Sequence, residues 1–331
     1  MTAVTAAPRT FLTVRMLTNL RDALLPVLLI GEIIFFAFAA PSFFAPANIS
    51  NIIVNSADLA LLAAGMTLVI LLAGIDLSVG PMLGVIAWLG ATLHVAGTPP
   101  LLTIGITLVV GAGLGAVNGA IIVGGRVSPI IATLGMAAVY KTILFVLWGS
   151  RDVLTQPVIP ALSPAAKVFG IPIVGIIVVV VYLLLAYVLR RRVFGRRLYA
   201  IGNDAEGARL LGVKVFRTTF AAYIVVGVLV GMGALLYSSR VGVVQAYSGA
   251  ELSLPAIAAV VIGGTSILGG EGGVLRTLGG LAFIAVLQNG VVLLGVPPLW
   301  NGAMVGAAIA LAVTFDVLSR RMIDNRIGRV Q

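Results

Sequence analysis

The sequence predicts an all-helical polytopic membrane protein with about ten membrane helices, and three observations carry that expectation. Hydrophobic residues make up 60% of the 331 residues and charged ones only 10%, with a mean hydropathy of +1.16; a soluble domain carries about 25% charge. Apolar runs of roughly 20 residues, the length that crosses a bilayer as a helix, recur along the chain. The 40 glycines suit helices that pack backbone to backbone in lipid. The chain has no cysteine and one histidine, His94, so neither a disulfide, a thiolate nucleophile nor a metal site is expected, and no cofactor. The net charge of +10 gathers at the ends of the apolar runs, which is the positive-inside pattern of a membrane protein and not a nucleic-acid footprint.

In chain order, residues 1–22 carry Arg9, Arg15 and Arg21. The apolar run from Ala23 to about Pro46 exceeds the ~7–15 residues of a signal core and lacks a small-residue cleavage site, so it reads as a retained first span. The spans fall at 23–44, 52–72, 78–96, 101–123, 129–148 and 168–189, then at 218–239, 252–268, 277–294 and 298–316. Between the two groups lies a basic segment, 190–217, and a tail, 317–331, follows the last span. An even number of crossings separates the N-terminal arginines, the eight basic residues from Arg190 to Arg217, and Arg320, Arg321, Arg326 and Arg329. All three groups, and both termini, are therefore expected in the cytoplasm. Arg126 falls on that side too, while Arg151, Asp152, Arg240 and Glu251 fall outside.

The basic segment holds a short helical stretch, Ala200 to Val213. A charged helix held against the membrane face needs a reason to exist, and a second protein that pushes on it supplies one. The other reading is an amphipathic helix anchored in the lipid surface by its arginines.

Asn118 to Gly124 in the fourth span echoes Asn289 to Gly295 in the ninth. The topology sets those spans in opposite directions, which is the mark of an inverted repeat pairing spans two to five with seven to ten. Glycines four apart, Gly111/Gly115/Gly119, Gly227/Gly231 and Gly302/Gly306, read as close helix contacts.

Polar residues at membrane depth are costly, about 2.5–3.5 kcal/mol for a charge at mid-bilayer, and so carry information. Asp76 and Ser78 stand in Gly74-Ile-Asp-Leu-Ser-Val-Gly80-Pro81. One reading is a tight turn in which Asp76 caps the third span by accepting from the Ser78 or Val79 N–H; the other places Asp76 on a solute pathway. Asn118, Gln288, Asn289 and Asn301 are amides that both donate and accept, fitting either a hydroxyl-rich uncharged solute or helix-to-helix glue. Glu32 and Asp58 read as hydrogen-bonded acids between helices, and Lys141 as a snorkelling side chain or an acid's partner. Ile262 to Gly273 has six glycines in twelve residues but no Gly-Lys-Ser/Thr ending. It is read as a bent span entering a tight turn and not as a phosphate loop.

Gly74 to Gly80, the run from Asn118 through Pro129 to Gly135, the segment Gly195 to Val213, and Ala258 to Gly270 together resemble the permease subunits of monosaccharide-importing ATP-binding cassette (ABC) transporters. The resemblance runs in order from about Phe43 to Arg321. It implies a bacterial inner-membrane subunit with no catalytic site of its own. Its implied partners are a second permease chain, equal or related, an ABC ATP-binding subunit, and an extracytoplasmic solute-binding protein. It implies that Asn203, Glu206, Gly207, Arg209, Leu210, Leu211 and Gly212 contact the ATPase, with Asp76, Ser78, Asn118, Gln288, Asn289 and Asn301 as pathway candidates. The same superfamily carries autoinducers, nucleosides and amino acids. A secondary transporter driven by an ion gradient, with Glu32, Asp58 or Asp76 as proton carrier, is the rival reading.

Overall fold

The computed structural model describes residues 25–308 together with 310, 311 and 314. Arg9, Arg15 and Arg21, the end of the tenth expected span, and the tail with Arg320, Arg321, Arg326 and Arg329 lie outside the described residues. The chain is mostly helical. The helices are α1 (Leu25–Ala39), α2 (Pro46–Leu71), α3 (Val79–Val95), α4 (Pro100–Gly125), α5 (Pro129–Trp148), α6 (Ile173–Arg191), α7 (Val193–Asn203), α8 (Ala205–Leu210), α9 (Val215–Val241), α10 (Ser253–Ile262) and α11 (Val274–Leu293). A further helix, α12, opens at residue 301. Two short antiparallel ladders join β1 (Val153–Leu154) to β4 (Val243–Val244), and β2 (Lys167–Val168) to β3 (Ile171–Pro172).

Among the described residues, α2, α4, α5, α6, α9 and α11 are long and apolar enough to cross a membrane. α1, α3 and α10 are apolar but shorter. Proline opens α2, α4 and α5, where it costs no intrahelical N–H bond and its fixed φ is already helical. Arg126 and Gly149 end α4 and α5 in the left-handed conformation, which turns the chain sharply without a long linker.

Several boundaries differ from the hydropathy map. The second expected span starts six residues earlier, at Pro46 and not at 52. The sixth starts at Ile173 and not at 168, because 167–172 folds into the β2–β3 hairpin. The eighth, expected over 252–268, is helical only to Ile262. Gly264, Gly269, Gly270 and Gly272 then adopt positive φ, a backbone no helix continues through.

α2 is the central post, with 72% of its apolar window buried, whereas α5 buries only 28% and presents a long uncovered face. α4 crosses α9 at a seam of glycines. A Cβ on Gly111 would strike the Gly227 carbonyl, one on Gly227 would strike the Gly111 carbonyl, and one on Gly115 would strike the Tyr223 carbonyl. Lipid supplies no hydrophobic drive between helices, so this backbone contact is what the small residues provide. Gly302 and Gly306, which share the spacing, have nothing within reach; the expected seam does not form there among the described residues.

Candidate functional site

The segment from 193 to 214 builds a mounted, protruding element. α7 buries Gly195, Leu198, Ile201 and Gly202, residues three or four apart and so on one face. Gly202 sits where any Cβ would strike the Leu71 carbonyl at the end of α2, and Gly195 lies equally close on the Leu189 backbone. The Tyr199 hydroxyl donates to the Gly272 carbonyl at 3.0 Å, and burial pushes that phenol above its ordinary pKa. The Gly270 N–H donates to the Leu71 carbonyl at 3.1 Å, and the Asn203 side chain lies against Gly270. The glycine-rich run is therefore a socket: its turns let α7 approach the end of α2 and Gly270 at backbone distance.

The single helical stretch expected from Ala200 to Val213 is in fact two helices. Asp204 is extended (φ −159, ψ 102), which ends α7 at Asn203. Its carboxylate accepts from the Glu206 and Gly207 N–H groups, both at 3.0 Å, and caps α8. The sequence carried that signal as Asp204 followed by Glu206 in a first turn. Gly207 was expected to admit a partner closely. In the fold its missing Cβ also makes room for the Asp204 carboxylate. Gly212 is left-handed (φ 82), and the Val213 N–H bonds back to the Ala208 carbonyl at 3.0 Å, a helix stop that returns the chain at once to α9. On the outer side of α8, Glu206 and Arg209 pair at 2.7 Å with both side chains about two-thirds exposed. Leu210 is 81% exposed and Leu211 88%.

Asp76, Ser78 and Asn118 come together, and Tyr140 joins them. Asp76 Oδ1 accepts from the Ser78 N–H at 2.8 Å and from the Ser78 hydroxyl at 2.6 Å. Ser78 Oγ accepts from the Asn118 amide at 2.7 Å, and Asn118 Oδ1 accepts from the Tyr140 hydroxyl at 2.8 Å. All four are essentially sealed from solvent; the bond expected from the Ser78 N–H forms, but as a turn one residue ahead of the helix, because Ser78 and not Asp76 is the N-cap of α3 and no side chain caps it. Asp76 Oδ2 and the Tyr223 hydroxyl are buried without a hydrogen-bond partner among the described residues. Nearby, Ser253 at the start of α10 accepts from the Gly80 N–H at 3.0 Å and donates to the Leu77 carbonyl at 2.9 Å. The beginnings of the two short helices α3 and α10 thus meet.

The remaining candidates are dispersed. Asn289 pairs reciprocally with Asn48, both bonds 2.9 Å, and ties α11 to α2. Gln288 is half-buried beside it, and Asn301 stands at the start of α12 with its Oδ1 buried and unpartnered among the described residues. Asp58, 1% exposed, is joined by Arg240 from α9 at 2.6 Å, a partner 182 residues away that the sequence alone did not pair with it. Both oxygens of Glu32 are buried without a partner among the described residues. Lys141 is exposed on the uncovered face of α5, and no acid pairs with it among the described residues. At the end of the bundle away from α8, Trp148 donates to Asp152 at 2.7 Å and Gln245 donates to the same carboxylate at 3.1 Å.

A bundle of apolar helices with buried polar ties is the build of a multi-pass membrane protein. The chain belongs to the family described as the permease component of branched-chain amino acid transport systems, whose model matches residues 48–313. It is 32% identical over 325 residues to the ribose import permease of Escherichia coli (strain K12), covering 96% of this chain and 99% of that one. It is 36% identical over 278 residues to the ribose import permease of Bacillus subtilis (strain 168), covering 83% and 86%. An autoinducer 2 import system permease of Escherichia coli O9:H4 (strain HS) is 29% identical over 272 residues, covering 82% and 79%. No solved structure matches the chain. It is thus a permease subunit of an ABC importer, a transport component and not an enzyme.

Proposed function

We propose that this chain forms the membrane pathway for a small hydroxylated solute, a monosaccharide, delivered by an extracytoplasmic binding protein and driven by ATP hydrolysis on a partner subunit. The observation that carries the proposal is α8. It is a capped helix with two leucines more than four-fifths exposed and a charged pair beside them, mounted on α2 and on the glycine turn after α10. Leu210 and Leu211 offer an apolar contact, Glu206, Arg209 and Asn203 polar ones, and Gly212 sets the return into α9. A push on α8 reaches Leu71 and Gly270 through α7 and the backbone of Gly202, and Gly272 through the Tyr199 hydroxyl. The relatives named for ribose import support a monosaccharide as cargo, and the one named for autoinducer 2 import marks the alternative.

Further parts of the reading belong with it. Ten membrane helices with both termini in the cytoplasm fit the charge distribution, and a second permease chain completes the pathway. The inverted repeat gains support from α3 and α10, which hold corresponding places in the two halves. Both are short, and their starts meet at Gly80 and Ser253. Interrupted helices at matching positions are the pointer to a pathway in repeat-built transporters. Asp76, Ser78 and Asn118, sealed and mutually bonded, hold the start of α3 in place, and Asn289 acts as glue. Gln288 and Asn301 remain the pathway candidates.

Replacing Leu211 with Arg tests the central reading. Mild-detergent purification of the native complex should yield an ATP-binding subunit with the wild-type chain and lose it, together with uptake, in the variant. Retention of full uptake by the variant would point to an ion-gradient-driven transporter instead.

A further inference from the structure

At the end of the bundle opposite α8, two chain segments far apart in sequence are stitched into one surface. β1 pairs with β4, Val153 opposite Val244 and Leu154 opposite Val243. The Thr155 N–H donates to the Gly242 carbonyl at 2.9 Å, and the Thr155 hydroxyl donates to the Ser238 carbonyl at 2.6 Å. The loop that follows is pressed on α3, since a Cβ on Gly84 would strike the Ser248 carbonyl. On this firm base three aromatic rings stand together. Phe145 lies 5.9 Å from Trp148 and 6.5 Å from Tyr247, ring centre to ring centre, each pair tilted by 40°. Phe145 is 51% exposed and Tyr247 68%. Beside the rings, Asp152 is held by Trp148 and Gln245, and those two hydrogen bonds keep its carboxyl below the ordinary carboxylate range.

The surface continues inward. Lys141, Phe145 and Trp148 are four and three residues apart and so share one face of α5, a face that the other described residues leave largely uncovered. A lysine exposed at position thirteen of a 20-residue membrane helix is costly against lipid. Against lipid its ammonium would have to snorkel to the bilayer surface, whereas against water or another polar surface it is satisfied where it stands.

We infer that Phe145, Trp148, Asp152, Gln245 and Tyr247 form a recognition site for an uncharged polyhydroxylated solute, with Lys141 one turn deeper as the next contact on its way in. The inference rests on the importer reading and supplies its point of entry. A sugar has apolar C–H faces that lie on aromatic rings and hydroxyls that need acceptors and donors. Asp152 accepts on lone pairs its two donors leave free, and the Gln245 carbonyl accepts as well. A cationic ligand fits poorly, because Arg151 adjoins the carboxylate and Lys141 lies on the inward path. A carboxylate ligand fits poorly because Asp152 faces it.

The test uses the full transporter, permease with its ATP-binding subunit and binding protein, in proteoliposomes, with D-ribose, D-xylose and D-galactose as probes and choline as the cationic control. Trp148→Ala and Tyr247→Ala should each lower ATP-dependent uptake of the accepted sugar about 10-fold, the equivalent of about 1.4 kcal/mol. Trp148→Phe should restore most of it. The affinity of the binding protein for the permease should stay at its wild-type value in all three variants. Unchanged sugar uptake in both alanine variants would overturn the site while leaving the importer reading standing. Loss of binding-protein affinity in those variants would reassign the surface to protein docking, and wild-type uptake of choline alone would reassign it to a cation. Failure of the wild-type complex to take up any of the three sugars would remove the importer reading for monosaccharides and the site with it.

Discussion

The pair Asp58–Arg240 allows a stability argument to be tested quantitatively. The ions meet at 2.6 Å, with Asp58 1% exposed and Arg240 25%. At an effective dielectric of about 20 and charge centres about 4 Å apart, their attraction is about 4 kcal/mol, and removing one partner from a buried pair costs about 3–5 kcal/mol. The two single variants should not cost the same. Arg240→Met strands a carboxylate that water barely reaches and should sit near the top of that range. Asp58→Asn leaves a guanidinium that is a quarter exposed and lies 5.5 Å over the Tyr237 ring, so its cost should be about half as large. The double variant has no orphaned charge and should recover most of the loss. Unfolding of the purified protein by titrated SDS, followed by tryptophan fluorescence, gives the three free energies. The reasoning predicts a coupling energy of about 2 kcal/mol or more. Costs that simply add, with coupling under about 0.5 kcal/mol, would refute it.

Other predictions follow from single contacts. Gly227→Val pushes a branched side chain into the Gly111 carbonyl and should cost about 3 kcal/mol or more in the same unfolding assay, at the upper end of overpacking. Ser78→Ala removes the acceptor of the Asn118 amide and a donor to Asp76, and leaving those groups unsatisfied should cost about 2 kcal/mol. Asp204→Ala removes the α8 cap, worth about 1 kcal/mol; amide exchange at Glu206 and Gly207 should quicken several-fold while α7 keeps its protection. The Trp148–Asp152 contact should persist in acid. Because the folded carboxyl titrates below its ordinary 3.8, the contact's contribution is present above that value and lost only as pH falls through the lower, folded one. Trp148 fluorescence, read in a Trp88→Phe, Trp300→Phe background, should therefore hold steady from pH 7 to pH 4 and change below. A transition near pH 5 would contradict the hydrogen-bonded geometry.

Much of the fold was legible because lipid imposes a length and a composition on every crossing helix. The runs opened by Pro46, Pro100 and Pro129 and closed by Arg126 and Gly149 follow from propensity and capping. What hydropathy could not read was where an apolar run stops being a helix. The apolar run 254–262 continues into Gly263 and Gly264 with no charge to stop it, but the positive-φ glycines after Ile262 belong to a socket whose purpose lies in α7, more than sixty residues earlier in the chain. The candidate site divides in the same way. The exposed face of α8 was visible as a charged insertion between apolar runs, and the Asp76 turn was visible as a tight turn ahead of the third span. The Asn48–Asn289 and Asp58–Arg240 ties were not, because one sequence shows that a polar residue is costly without showing who stands opposite. Of the two readings of Lys141, the pairing with an acid does not form among the described residues, and the side chain stands on an exposed face of α5.

The glycine seam has a consequence for how such a subunit moves. α4 comes from the first half of the chain and α9 from the second, and their backbones touch at Gly111, Gly115 and Gly227 with no side chains between to slide or bend. The two halves are in effect riveted, so they cannot part along that line as the two lobes of a clamshell do. α9 also starts within five residues of the end of α8, so a displacement of α8 enters the riveted pair almost at its root and is carried as a tilt of the whole unit. With the second permease chain proposed above, alternating access would then be a matter of two such bodies leaning toward or away from each other, with the gate between the chains.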